Sequence, residues 1–120
     1  MLSELDHIQI AMPKGEETQA RYFCIDLLGL VEISKPATLA KRGGAWFVLP
    51  NGFQIHYGVE ADFMPAKKAH PAFVCDDLDE LAKKLAQVHF DVIWDEELAP
   101  RRRFYTHDPF GNRIEFMEQL

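Results

Sequence analysis

Residues 108–116 read Asp-Pro-Phe-Gly-Asn-Arg-Ile-Glu-Phe, and residues 50–57 read Pro-Asn-Gly-Phe-Gln-Ile-His-Tyr. Each stretch begins with a turn that contains proline and glycine and continues into a strand of alternating side chains, which is typical of a β-hairpin. When the two stretches are aligned, Pro50 falls on Pro109, Gly52 on Gly111, Ile55 on Ile114, His56 on Glu115 and Tyr57 on Phe116. The match between turn positions and between apolar positions indicates an internal duplication.

The same succession of elements is predicted in each half of the chain, because a period of two indicates strands and a period of 3.6 indicates helices. In the first half we expect a strand at 5–10, a helix that begins near residue 16 and stops at Gly29, and strands at 30–33, 45–49 and 53–57. In the second half we expect a strand at 70–74, a helix from Asp77, and strands at 91–94, 103–107 and 112–118. The sequence therefore predicts an α+β fold: one domain, residues 1–120, built from two βαβββ modules at about 1–60 and 68–120.

Composition excludes several classes of protein. A chain of 120 residues with 48% hydrophobic content can bury a core without disulfides, and its two cysteines belong to no Cys-x-x-Cys pair. The net charge of −6 argues against a nucleic-acid partner. No apolar run approaches the roughly 20 residues of a membrane span, and the first residues do not resemble a signal peptide. We expect a cytoplasmic protein that binds neither nucleic acid nor membrane.

Four side chains that can bind metal occupy equivalent positions in the two modules. His7 and His70 lie on the first strands, and His56 and Glu115 lie on the last strands. Strand alternation sends all four to the face opposite the helices, because their apolar neighbours must face the core. Taken alone, a histidine in such a position is more often a hydrogen-bonded structural residue than a metal ligand. Four side chains that can bind metal, at equivalent positions of the two modules, nevertheless favour a metal site. Imidazole and carboxylate ligands without thiolates indicate an open, catalytic site for zinc, nickel, iron, manganese or cobalt.

The chain resembles the vicinal oxygen chelate superfamily, which includes glyoxalase I, fosfomycin-resistance transferases, bleomycin-resistance proteins and extradiol dioxygenases. The resemblance is carried by residues 5–10, residues 26–30 and above all the Asp-Pro-Phe-Gly-Asn turn of residues 108–112. It implies curved mixed sheets around a pocket, with the helices outside. It also implies that His7, His70 and Glu115 form a two-histidine, one-carboxylate ligand set. His56 matches the fourth ligand position of glyoxalase I, which usually has glutamate there, and this departure argues against glyoxalase I activity itself.

The resemblance implies a metal-dependent lyase, isomerase or related enzyme that acts on a small oxygen-rich or thiol-conjugated metabolite. Glu115 and His56 are its candidate catalytic groups, and His56 is either a ligand or a base. Strand parity predicts as substrate contacts Gln9, Trp46, Gln54, Arg103 and Tyr105. Two alternatives stay open: a non-catalytic drug-binding protein and a fosfomycin-type thiol transferase. Relatives of this kind commonly form homodimers, sometimes by exchanging modules, so we expect a homodimer.

Overall fold

Each half of the chain forms its own four-stranded mixed sheet in the computed structural model, which describes all residues from 1 to 120. The residues divide into two compact units, Met1–Met64 and Pro65–Leu120. The first unit contains β1 (His7–Met12), α1 (Glu17–Arg21) with a π-helical continuation (Tyr22–Leu27), β2 (Val31–Ile33), α2 (Ala37–Ala40), β3 (Ala45–Val48) and β4 (Gln54–Val59). Its strands are ordered β1-β4-β3-β2, with β1 parallel to β4 and the other pairs antiparallel.

The second unit repeats this topology. It contains β5 (Ala72–Cys75), α3 (Leu78–Gln87), β6 (Ile93–Asp95), β7 (Arg103–His107) and β8 (Arg113–Glu118). Its strands are ordered β5-β8-β7-β6, and again the first strand is parallel to the last while the other pairs are antiparallel. The predicted α+β fold of paired βαβββ modules is therefore confirmed. The assignment of both modules to one domain stays a prediction.

Strand boundaries differ from the predicted ones at the first strand of each unit. β1 begins at His7 and continues to Met12, which is fully buried, whereas Leu5 is exposed. β5 begins only at Ala72, because Pro71 has no N–H group to donate to the ladder, although its carbonyl accepts a hydrogen bond from Glu115. His70 thus lies in the segment before β5. The short helix α2 was not predicted from the sequence.

Apolar side chains on one face of each sheet form the core of that unit. In the first unit Phe23, Phe47, Ile55 and Tyr57 are almost completely buried, and in the second unit Leu85, Phe104, Ile114 and Phe116 are. Because side chains alternate along a strand, the neighbours of these core residues on β4 and β8 point to the opposite face. His56 and Glu115 therefore lie opposite the core. No helix in the chain has the length and hydropathy needed to cross a bilayer.

The main helices of the two units end in related ways. Gly29, with φ 73°, follows the π-helical segment, and Leu30 N donates to Cys24 O over 2.8 Å, which spans one residue more than the corresponding bond of a Schellman motif. After α3 the left-handed position is occupied by His89, with φ 70°, and Phe90 N donates to Leu85 O over 3.0 Å. A residue with a Cβ atom is strained in this conformation, whereas glycine is not. We therefore expect His89 to make the end of α3 less stable than the end of the first-unit helix, where Gly29 occupies the corresponding position.

Candidate functional site

A stack of three rings lies on the face of the first sheet that is opposite the core. Trp46 on β3 is directly opposite His56 on β4, and their rings are parallel within 3° with centroids 3.8 Å apart. The ring of His7, at the start of β1, is stacked on His56 with centroids 4.1 Å apart and an interplanar angle of 18°. This packing leaves His56 only 5% exposed although it lies on the face away from the core.

His56 is held as a neutral hydrogen-bond donor. Its Nε2 lies 2.8 Å from Oε1 of Gln54, an oxygen that can only accept, so Nε2 carries the proton in this arrangement. Burial is the main cause that lowers the pKa of His56, and the neighbouring His7 and Lys35 lower it further, whereas Asp6 opposes them. The Nδ1 lone pair of His56 is then the one available to a ligand or a proton.

The stacked arrangement bears on whether His7 and His56 can bind the same ion. An imidazole binds a metal along the lone pair in its own ring plane, and two nearly parallel stacked rings direct these lone pairs along separate lines. His7 Nδ1 also lies 2.9 Å from Oδ2 of Asp6, which leaves Nε2 as its free nitrogen. One of the two rings must rotate before both could bind one ion.

The other two predicted contacts of the first unit surround the same histidine. Gln54 binds His56 directly, and Gln9 is the residue of β1 that pairs with His56 across the sheet. The side chain of Gln9 lies over Gly58, where an added Cβ atom would be only 2.9 Å from Gln9 Cδ. Gln9, Trp46 and Gln54 thus lie near His56, and their role as substrate contacts stays a prediction.

A second cluster, in the second unit, is centred on the carboxylate of Glu115. Glu115 is 4% exposed, and both of its oxygens have partners: Oε1 lies 2.8 Å from His70 Nε2, and Oε2 accepts from Arg103 Nη1 over 3.2 Å. Arg103 Nη2 donates to Asp95 Oδ2 over 3.0 Å. Arg103 therefore links two carboxylates and fixes the position of Glu115, which is a different role from the predicted substrate contact; that prediction remains untested.

Both ring nitrogens of His70 lie beside oxygen atoms that accept hydrogen bonds. Nδ1 lies 2.9 Å from the carbonyl oxygen of Lys68, which only accepts, so Nδ1 carries a proton. Nε2 lies 2.8 Å from Oε1 of the Glu115 carboxyl group, so the hydrogen bond between them requires a second proton, placed between these two atoms. A backbone carbonyl that orients a histidine in this way is the usual outer partner of a metal-binding imidazole.

Tyr105 connects this carboxylate cluster to an arginine that sequence reasoning missed. The ring of Tyr105 is edge-on to His70, with centroids 5.4 Å apart, and the guanidinium of Arg113 lies over it, 3.9 Å from the centroid. Arg113 precedes Glu115 by two positions on β8 and shares its face of the sheet. That parity was the sequence signal that could have identified it.

The Asp-Pro-Phe-Gly-Asn turn positions β8. Asp108 Oδ1 accepts from the backbone N–H groups of Phe110 and Asn112, and Asn112 Nδ2 donates to Asp108 Oδ2 over 2.9 Å. Asn112 Oδ1 also accepts from Ala66 N over 2.9 Å, which ties the turn to the beginning of the unit. The most specific motif of the sequence therefore acts structurally: it sets the start of the strand that carries Arg113 and Glu115.

The structure brings the four predicted metal ligands together as two pairs, each within its own unit: His7 with His56, and His70 with Glu115. No group of three or more histidine, cysteine, aspartate or glutamate side chains is arranged to hold a metal ion. The metal site stays a prediction. The chemistry of the His70 and Glu115 pair fits it, since an imidazole nitrogen and a carboxylate oxygen are already neighbours and an ion would take the place of the proton between them.

Comparison with known proteins gives the same fold. No family model matches the chain, and no curated protein matches it. A crystal structure from Bacillus anthracis, assigned to the glyoxalase family, is 48% identical with a TM-score of 0.93, covering 100% of this chain and 98% of that one. The fosfomycin resistance protein FosX of Listeria monocytogenes is 17% identical with a TM-score of 0.78, covering 100% of this chain and 96% of its own. The antibiotic binding protein TnmS3 of Streptomyces sp. CB03234 is 17% identical with a TM-score of 0.75, covering 99% and 98%.

These similarities define a glyoxalase-like protein of paired modules. At 48% identity over the whole of its length, the chain belongs to the glyoxalase family. The more distant matches show that the fold is shared by proteins with different activities, so the family does not by itself define a reaction.

Proposed function

We propose that the chain is a divalent-metal-dependent enzyme, of the lyase or isomerase type, that acts on a small oxygen-rich or thiol-conjugated metabolite. The observation that carries the proposal is the pair formed by His70 and Glu115. Its histidine ring is held by Lys68 O, and its carboxylate is held by Arg103. Groups held by hydrogen bonds in this way are preorganised to bind an ion without further ordering.

In this proposal His70 and Glu115 are two of the ligands, and His7 supplies the third, from the same chain or from a second copy. His7 contributes through Nε2, since Asp6 holds its Nδ1. His56 would be the fourth ligand through Nδ1, but only after one of the two stacked histidine rings rotates. The bound ion would be zinc, nickel, iron, manganese or cobalt, and it would supply Lewis-acid activation of a substrate oxygen.

Glu115 and His56 are the side chains that would transfer protons in the reaction. Glu115 would act as a base when it leaves the ion during turnover. One of its oxygens is held by Arg103, so its other oxygen, now facing His70, is the one that would then accept and return a proton from a substrate carbon. His56 has a lowered pKa and is neutral at pH 7, so its Nδ1 can accept a proton. Trp46 and Tyr105 would contact the substrate with their rings.

A homodimer in the cytoplasm, without nucleic-acid or membrane partners, completes the proposal. Apolar side chains are exposed on the edge strands of both sheets: Val31 on β2, Val74 on β5 and Ile93 on β6. Exposed apolar strands at a sheet edge support pairing with a second copy. Sedimentation equilibrium tests this part: a dimer is expected, and a monomer at micromolar concentration contradicts it.

The metal is tested by elemental analysis of purified protein after removal of bound metal and reconstitution with Mn²⁺ or Zn²⁺. The chain offers matched controls, because His107 and Asp91 form another histidine–carboxylate pair, at 2.9 Å, in the same unit. We expect about one ion per chain in wild type, His107→Ala and Asp91→Asn, and at least tenfold weaker binding in His70→Ala and Glu115→Gln. Equal metal content in all five proteins, or none in wild type, refutes the proposal.

A second candidate, a non-catalytic drug-binding protein, is favoured by one observation. The ring of Trp46 is half-buried and is held in place by stacking on His56, as a contact for an aromatic ligand would be, and Glu115 is already neutralised by protein partners. TnmS3, which shares the fold, is an antibiotic binding protein. Tight binding of a planar aromatic compound by metal-stripped protein, lost in Trp46→Ala and without turnover, would assign this function. Addition of glutathione or bacillithiol to fosfomycin would instead assign the thiol transferase.

A further inference from the structure

Arg113 differs from the other arginines of the second unit in its partners. Arg101 donates to Glu118 O, Arg102 binds both oxygens of Asp79, and Arg103 binds Asp95 and Glu115. Arg113 forms no ion pair; its guanidinium is stacked on Tyr105, 3.9 Å from the ring centroid. The chain has 19 acidic residues against 13 basic ones, so carboxylates are not scarce. Arg113 is therefore the arginine on this face of the second sheet that is available to an anionic ligand.

The position of Arg113 makes it suitable for binding an anion. It is half-buried and lies on the same face as Glu115, and the Tyr105 ring beneath it also contacts His70. Stacking on an aromatic ring holds the guanidinium plane and leaves its edge of N–H groups free. Such an edge donates two parallel hydrogen bonds to a carboxylate, phosphate or phosphonate.

We infer that Arg113, supported by Tyr105, is a binding site for an oxyanion, and that this site recognises an anionic group of the substrate next to His70 and Glu115. The binding site stands on the geometry of Arg113 alone, whereas its assignment to a substrate rests on the proposed function. The substrate class is narrowed accordingly to small metabolites that carry a carboxylate, phosphate or phosphonate group close to the reacting carbon.

Calorimetric titration with inorganic phosphate, and separately with acetate, tests the inference in metal-free protein, in Tris chloride and after the chelator has been removed by gel filtration. Wild-type protein should show saturable binding of at least one of the two anions. Arg113→Gln should weaken that binding at least tenfold, and Arg113→Lys, which keeps the charge but not the fork of donors, by a smaller factor. Neither change removes a hydrogen bond of the fold.

Arg102→Gln is the matched control, since Arg102 is also stacked on an aromatic ring, Trp94 at 4.7 Å, but is bound to Asp79. It should change anion binding less than twofold. No saturable binding by wild type, equal binding by Arg113→Gln, or an equal loss in Arg102→Gln overturns the inference. The outcome is independent of metal content, so failure of this site and failure of the metal site are distinguishable.

Discussion

Replacing Arg103 by methionine should destabilise the protein mainly by leaving buried carboxylate oxygens without partners. Arg103 is 20% exposed and Glu115 only 5% at the side-chain level, so the pair is largely removed from water. Breaking a buried pair costs roughly 3–5 kcal/mol, and because His70 still binds Glu115 we expect about 2–3 kcal/mol here. The neighbouring Arg102→Met removes an ion pair whose side chains are 48% and 69% exposed and therefore screened by water, so it should lower the stability much less than Arg103→Met does.

Urea unfolding at fixed protein concentration measures the free energy of unfolding of Arg103→Met and of Arg102→Met. A double variant, Arg103→Met with Glu115→Gln, provides the internal check, because an uncharged amide no longer needs the guanidinium. We expect the double variant to be about 1–2 kcal/mol more stable than Arg103→Met alone. Equal costs for Arg102→Met and Arg103→Met, or no recovery in the double variant, would refute the view that Arg103 positions Glu115.

Three further predictions concern backbone strain and pH. His89→Gly should stabilise the protein by about 1 kcal/mol in urea, since it relieves a left-handed residue with φ 70°; a loss of stability contradicts this. Gly44→Ala should abolish folding as judged by circular dichroism, because its Cβ would collide with the carbonyl of Tyr57, whereas Gly52→Ala, with open space around it, should cost only about 1–2 kcal/mol. The pKa of His56 in the folded protein lies below its ordinary value of 6.5. Its contribution to stability is therefore fully present above pH 6.5 and is lost as the pH falls through the pKa of the folded state. His56→Gln should weaken this dependence of the free energy of unfolding on pH, measured with urea between pH 7 and 5.

The duplicated hairpins were sufficient to predict most of the fold. Turn residues and strand alternation have physical causes that act within a few positions, so β4 and β8 were assigned almost to their ends. The ends of β1 and β5 were less predictable, because they depend on burial of Met12 and on the missing N–H of Pro71. Helix α2 has four residues, too few to show a period in the sequence.

Strand parity predicted the face on which the candidate site residues lie, but not the contacts between them. Gln9, Trp46 and Gln54 lie around His56, and Tyr105 lies beside His70, while their role as substrate contacts stays a prediction. Strand parity cannot show which side chains form hydrogen bonds, ion pairs or ring contacts with each other. The stack that covers His56, the ion pairs of Arg103 and the unpaired state of Arg113 all depend on rotamers and on contacts between strands that are distant in sequence.

An anomalous difference map at the metal edge, from crystals of protein reconstituted with zinc or nickel, tests the proposed function most directly. The proposal predicts a single strong peak per chain at about 2.0–2.2 Å from His70 Nε2 and from one oxygen of Glu115, with His7 Nε2 as a further ligand. The map would also show which chain supplies His7. A fully loaded crystal with its peak elsewhere, and with His70 still bound to Glu115, would contradict the proposal.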